Sequence, residues 1–363
     1  MLWVFGFIIF HKTRIISPPI YEETNLIRSE LRGEIGRIDN AIYESLYERK
    51  VPDKNIHFLD VTSKSENGYS WDFIEILVKL PTRDSLHKLE GVLNNAFLSL
   101  KPKITCKNRR LSRYESAYHL FALGLYTHKL ILRHDVFKKP TPWELPKVGI
   151  IIDDLGYDYD MALRLMELDL PLSMAVLPIA PHTKEIVSEV KKRALELMLH
   201  LPMEPKNYPA VNPGPGALLA SMDDDQIRYL VDDHLKRISG VRGVNNHMGS
   251  LFTERRDKMG VVFDELRKRH LFFIDSKTTN HSLAFSLAKD MGIPVAGRSV
   301  FLDNDSSPKA LKFQMERLLG FATHSGSAIG IGHPNRETLR ILKHYLPKLN
   351  NEFEMVPVSE LVE

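Results

Sequence analysis

From Val148 to Ile152 the chain reads Val-Gly-Ile-Ile-Ile with no polar break. It then stops against two adjacent carboxylates, Asp153 and Asp154, followed by Leu155-Gly156. So short and uninterrupted an apolar run is the mark of a strand covered on both faces, which confines it to the interior of a layered α/β structure. Successive strand residues point to opposite faces, but at a strand end the chain can turn and aim both carboxylates into one cleft. Two like charges held there need compensation by a metal ion, a shared proton or open solvent.

The chain after this run keeps its rhythm. Strand-like segments recur at Leu172–Leu177, Leu195–Leu201, Gly243–Asn246, Leu271–Ile274, Pro294–Arg298, Ser327–Gly332 and Glu354–Val358. Between them lie helical stretches such as Pro181–Ala194, Asp223–Ile238, Arg255–His270, Leu283–Met291, Lys309–Thr323 and Arg336–Leu349. Short apolar strands alternating with amphipathic helices make parallel sheets with crossover helices. Seven or eight such units within residues 147–363 fit a distorted (β/α) barrel better than an open sheet.

Upstream the rhythm differs. Leu26, Ile27, Leu31, Ile35, Ile38, Ile42 and Leu46 recur at helical spacing, and Val51-Pro52-Asp53 ends that helix. Two strands, Ile56–Ser63 and Tyr69–Leu80, follow around Ser65-Glu66-Asn67-Gly68, then a helix over Leu86–Leu100 and two strand-like runs, Lys103–Ser112 and Glu115–Leu132. Residues 20–137 therefore read as a small α+β accessory domain without an acid–histidine cluster, and the proline-rich 138–146 as a linker. Residues 1–19 open with an apolar stretch, Leu2–Phe10, that is under half the length of a membrane span and has its positive charges after it. It reads as the remnant of an export or anchor segment, through which the chain would associate with a membrane, or more plainly as a peripheral strand. Forty-nine basic against 46 acidic residues leave +3, too even a balance for a nucleic-acid partner. The lone Cys106 rules out an internal disulfide or a thiolate-rich metal site.

Barrels of this kind carry their chemistry at the C-terminal strand ends. Those ends bear Asp153 and Asp154, His200, His247, Asp275 and His333. Each alone could be structural, but together they imply a shared cleft. One Asp and two His suit Zn²⁺ or a similar divalent ion with an open position, and the Asp and His left over would supply base and acid. Glu204, four residues after His200, could reach the cleft or be a solvated loop acid. Asn245, Asn246 and Ser250 flank His247 and could bind sugar hydroxyls or simply serve the turn. His182 is a reserve ligand, residues 207–216 a rim loop, and Asp303-Asn304-Asp305 a cap for the helix that follows, with a place in the site as the second reading.

The segments Ile-Asp-Asp-Leu-Gly, Leu-His-Leu-Pro-Met-Glu-Pro, Gly-Val-Asn-Asn-His-Met-Gly-Ser, Phe-Phe-Ile-Asp-Ser and Gly-Ile-Gly-His-Pro, in that order, resemble the divergent polysaccharide deacetylase family. The resemblance covers about residues 148–360 and leaves out the N-terminal unit. It implies an incomplete (β/α) barrel, a divalent metal, an acetylated polysaccharide substrate and a place in the periplasm or cell envelope. It assigns Asp153 as catalytic base, Asp154 with His200 and His247 as metal ligands, His333 as acid and Asp275 as an orienting acid. Better-characterised deacetylases set two metal histidines four residues apart on one segment and carry an Arg-Pro-Tyr segment. This chain has neither and spreads its ligands over separate strands. Two functions follow: a carbohydrate deacetylase, or a non-catalytic envelope module that binds glycans or a protein.

Overall fold

A computed structural model describes residues 29–52, 55–66, 69–112, 114–134 and 145–363. The Leu2–Phe10 segment, the turn residues Asn67 and Gly68, and linker residues 138–144 lie outside that set.

The first unit runs α1 (Ser29–Glu48), β1 (Ile56–Glu66), β2 (Tyr69–Leu80), α2 (Arg83–Leu98), β3 (Ile104–Ser112), β4 (Glu115–Ala122) and β5 (Leu125–His134). Its strands order as β1-β2-β5-β4-β3, with β2 and β5 parallel. Thr82 caps α2 by accepting from Ser85 N. Both helices pack on one face of the sheet, where Ile38, Ile42, Leu86, Leu89 and Leu93 meet Ile74, Ile76, Tyr118 and Leu130. The run Glu115–Leu132, expected as one strand, is a hairpin. Ala122 pairs with Leu125, and Leu123 and Gly124 turn between them with φ of 49° and 81°. Two consecutive positive-φ residues make the tight turn that matches strand twist, but a leucine in the first position hides it from the sequence.

The second unit is a curled sheet of nine strands, all parallel: β6 (Lys147–Leu155), β7 (Ser173–Val176), β8 (Glu196–Met203), β9 (Gly243–Met248), β10 (Phe272–Asp275), β11 (Val295–Gly297), β12 (Val300–Phe301), β13 (Ser327–Gly332) and β14 (Glu354–Met355). Eight follow one another as β11-β10-β9-β8-β7-β6-β13-β12, and β14 pairs β6. The open edges, β11 and β12, are consecutive in sequence, so the expected strand Pro294–Arg298 is one edge, shortened to Val295–Gly297, and Arg298 and Ser299 cross to the other. Arg298 N donates to Asp275 O and Ser299 N to Ile329 O. The result is a half-barrel nearly closed by two residues. Helices α3 (Tyr159–Met166), α4 (Thr183–Lys192), α5 (Asp224–Arg237), α6 (Arg256–Arg267), α7 (Ala284–Asp290), α8 (Pro308–Ser325) and α9 (Arg336–Glu352) surround it. The first was not among the helices read from the sequence; Asp158 caps it through Met161 N.

Strand alternation divides the apolar residues cleanly. Ile150, Ile152, Leu199, Val244 and Phe273 face the helices. Ile151, Met198, Phe272, Ile274, Ile329 and Ile331 fill the barrel interior. The chain's last residues close the bottom. After β14, shorter than the expected Glu354–Val358, Val358 N donates to Ser173 Oγ, Ser359 N to Glu196 Oε1, and Glu363 exchanges hydrogen bonds with Val295. The two units meet on α8. Its Met315, Leu318 and Leu319 belong to the barrel core, while Phe313 enters the N-terminal core and meets Phe58 edge-on at 5.5 Å. Arg317 of the same helix reaches Asp72 at 3.0 Å.

Candidate metal centre at the barrel mouth

Alternation alone would send Asp153 inward with Ile151 and Asp154 outward with Ile152. The backbone overrides it at Asp154, where φ is 53° and the pairing with β7 slips between Ile152 and Leu155. A left-handed residue is affordable for Asp more than for most side chains, and here it swings the second carboxylate back into the mouth. Gly156, with φ of 145°, completes the turn; a Cβ there would lie 2.5 Å from Ala180 Cβ.

His200 on β8 and Asn245 on β9 are register partners and both face inward, and His247 follows two residues after Asn245. Asp154 Oδ1 lies 2.9 Å from His200 Nε2 and 2.8 Å from His247 Nδ1, and those two nitrogens are 3.2 Å apart. All three residues are buried. Yet neither Asp154 oxygen has a hydrogen-bond partner in good geometry. Buried carboxylate oxygens without donors are costly, and three ligand atoms converging on one point fit a cation. A tetrahedral zinc set spaces its ligand atoms about 3.3 Å apart, near the separations seen here. Asp154, His200 and His247 could therefore hold one metal ion, and among the described residues they are the only such group.

Asn245 organises this set. Its Nδ2 donates to Asp153 Oδ1 at 2.7 Å, and its Oδ1 accepts from His200 Nδ1 at 2.9 Å. That second bond puts the His200 proton on Nδ1 in the neutral ring and leaves Nε2 with its lone pair toward Asp154, the tautomer that a ligand needs. Burial pushes the Asp153 carboxyl above its ordinary range, and the charges of His200 and His333 only partly offset it. Burial acts on Asp154 too, but the two imidazoles against it prevail and hold it well below the usual carboxylate range. For His200, burial is outweighed by Asp153 and Asp154, which raise it.

Gly332 pairs with Ile152, so His333 emerges beside Asp153. Its Nδ1 donates to Asp303 Oδ1 at 2.9 Å, and its backbone N–H to Asp303 Oδ2 at 2.8 Å. Asn335 Nδ2 and Thr338 Oγ1 also donate to Asp303 Oδ2. Burial notwithstanding, His333 and these donors lower the Asp303 pKa. Asp303 is thus no helix cap, since α8 is capped by Ser307; it orients His333. Phe301 stacks on the same ring, 19° from parallel.

Other expected residues lie elsewhere. On β10, Phe272 and Ile274 face the interior, so Asp275 turns to the helix layer. There it accepts from Lys277 N, Ser282 Oγ and Phe285 N at the start of α7. It orders that loop, and the acid that meets His333 is Asp303. Asn246 engages both ends of its amide, Nδ2 donating to Met248 O and Oδ1 accepting from Ser276 N. Glu204 holds the loop above by accepting from Ala220 N, and Ser250 Oγ accepts from Lys206 N. His182 begins α4 and packs near Tyr159, outside the triad. A cavity of about 620 Å³ is lined among others by Tyr157 after β6, by Ile179, Pro181 and Lys184 after β7, and by Arg237 at the end of α5. Burial, and after it the Asp154 charge, raises the Tyr157 phenol.

These features define a (β/α) half-barrel with a candidate Asp–His–His metal centre at its mouth. The profile of the family described as divergent polysaccharide deacetylase matches residues 150–362, and the chain belongs to that family. It is 31% identical over 216 residues to the uncharacterized protein YibQ of Escherichia coli, covering 60% of this chain and 67% of that one. An uncharacterized protein of Haemophilus influenzae is 31% identical over 215 residues, 59% of this chain and 76% of the other. Among solved structures, an uncharacterized protein from Agrobacterium tumefaciens superposes with a TM-score of 0.58 at 24% identity, over 61% of this chain and 92% of its own. The fold is shared.

Proposed function

We propose that this chain is a metal-dependent deacetylase that hydrolyses N- or O-acetyl groups of a carbohydrate polymer of the cell envelope. The observation that carries the reading is the pairing of unlike groups in one mouth: a converging ligand triad, a separate buried carboxylate and an oriented histidine. Nitrogen and carboxylate donors with no thiolate favour Zn²⁺. When bound, the ion supplies positive charge that polarises water and an acetyl carbonyl. Asp154, His200 and His247 hold it. Asp153, free of the triad and raised by burial, takes the proton of the attacking water. His333, fixed through Nδ1 by Asp303, gives a proton to the departing amine or alkoxide, so that acetate and the deacetylated sugar leave. Tyr157 and the cavity beside it receive the sugar. The envelope assignment rests on the substrate class together with the apolar stretch Leu2–Phe10; no helix among the described residues is long and apolar enough to cross a membrane.

Acetate release from N-acetylated and O-acetylated oligosaccharides tests the reading. It should appear with the metal-loaded protein, vanish with chelator and return on adding Zn²⁺. Demonstrated metal binding with no acetate from a broad panel would instead support a glycan-binding module without catalysis.

A further inference from the structure

The face of the N-terminal sheet opposite α1 and α2 carries an aromatic cluster at one end. Alternation sends Ile74, Ile76, Leu120 and Leu130 to the helices and leaves Phe73 and Phe121 on the other side, where the register shift between Leu120 and Phe121 in the β4–β5 pairing also turns Tyr126. Tyr126 lies 4.8 Å from Phe73 and 5.0 Å from Phe121, centroid to centroid, and its hydroxyl meets His119 Nδ1 at 2.6 Å. Cations stand over the rings: Lys64 Nζ lies 4.1 Å from the centroid of the buried Phe73 and 5.4 Å from that of Tyr126, and Lys107 Nζ lies 5.2 Å from that of Phe121. Lys107 is exposed, and Phe121, Tyr126 and His119 are half-buried.

This end of the sheet adjoins the barrel mouth. Met248, next to the candidate ligand His247, accepts through its carbonyl from Thr278 Oγ1 at 3.0 Å. Two residues on, Asn280 Nδ2 donates to the Lys64 carbonyl at 3.3 Å. One short loop thus joins the metal centre to the strand that carries Lys64. We infer that the aromatic end of the sheet is a second glycan-binding surface, which grips an anionic, acetylated polysaccharide strand away from the reacting sugar. The identity of the ligand rests on the deacetylase reading. Aromatic faces suit the C–H faces of sugar rings and lose little conformational freedom on binding. Lys64 and Lys107 add attraction for carboxylates on the same strand. A cationic, aromatic sheet face also suits single-stranded nucleic acid, and continuity with the mouth of a deacetylase-family barrel favours the glycan.

The test uses the full chain and three probes: a hyaluronan decasaccharide (N-acetylated and carboxylate-bearing), neutral chitohexaose and a single-stranded DNA 20-mer. The parent should bind hyaluronan more tightly than chitohexaose. Phe121→Ala and Lys107→Glu should each weaken hyaluronan binding by about tenfold and leave acetate release from a short acetylated oligosaccharide unchanged. Lys107→Glu alters an exposed side chain, so it keeps the test valid if Phe121→Ala fails to fold. Hyaluronan binding that is absent in the parent, equal in both variants, or weaker than DNA binding would overturn the inference. Loss of acetate release with this binding intact counts against the deacetylase reading alone, and the reverse against this surface alone.

Discussion

Replacing Asn245 by Leu removes one side chain that makes three buried hydrogen bonds, to Asp153, His200 and Ser276, and the consequence for metal can be worked out from the first two. The Asp153 carboxylate loses its 2.7 Å donor, and His200 Nδ1–H loses its 2.9 Å acceptor. Leu fills similar volume, so the cavity cost is small and the orphaned groups dominate, at about 1–3 kcal/mol each. Part of that strain is relieved if His200 rotates or shifts its proton to Nε2, and either change takes the lone pair away from the triad. Metal affinity should therefore fall by about 10–100-fold, that is by roughly 1.4–2.7 kcal/mol, while urea unfolding still shows a cooperative transition. Asn245→Asp keeps an acceptor for His200 and loses the donor to Asp153, so it should hold metal better than the Leu variant yet turn over poorly. Competition against a chelating dye measures the affinities. Parent affinity in a folded Asn245→Leu would refute the claim that this amide sets the His200 tautomer.

Further expectations follow from neighbouring contacts. His333→Ala should reduce acetate release by about 10²–10⁴-fold with metal content unchanged; Asp303→Asn should cost less and shift the pH profile. Burial lowers the His234 pKa below its ordinary 6.5, while its Nε2 donates to Gly216 O. The folded chain therefore binds this proton less readily than the unfolded one. The His234 contribution is complete above the unfolded value and is lost as pH falls through it. His234→Gln should flatten the decline in melting temperature between about pH 7 and about pH 5 relative to the parent. Phe313→Ala should destabilise the chain by about 3–5 kcal/mol, and residues 145–363 alone should melt below the full chain, because α8 would expose the face that carries Phe313. Equal melting of fragment and full chain would show that the shared helix couples nothing.

Much of this was legible because burial in a parallel sheet leaves plain marks. Strands covered on both faces read as apolar runs, and a charged residue ending such a run has few places to go, which exposed Asp153, Asp154, His200, His247 and His333 as a set. What escaped depends on direction rather than composition. Asp275 ends β10, and His200 lies within β8, three residues before its end; both follow apolar runs, but one step of alternation turns Asp275 to the helices. Asp154 should have faced outward by the same rule, and only a left-handed backbone returns it. Asn245 and Asn246 are chemically identical neighbours; the strand's pleat makes one the bridge between Asp153 and His200 and the other a tie between strands. Asp303 stood in a run that looked like a cap, and its partner His333 lies 30 residues away, a distance no local pattern spans. The hairpin at Leu123-Gly124 and the double-sided helix α8 were missed for similar reasons. The turn lacks an Asn or Asp before its glycine, and helical periodicity shows that a face is buried without saying against which core.

The central claim is a division of labour between two adjacent carboxylates, one holding an ion and one moving a proton. Bound metal and acetate release measured together on Asp153→Asn and Asp154→Asn test it most directly. The account expects Asp153→Asn to keep one metal ion per chain and lose turnover by about 10²–10⁴-fold, and Asp154→Asn to lose the metal itself. Metal lost from Asp153→Asn and kept by Asp154→Asn would reverse the two roles, and full turnover in both variants would contradict the deacetylase assignment altogether.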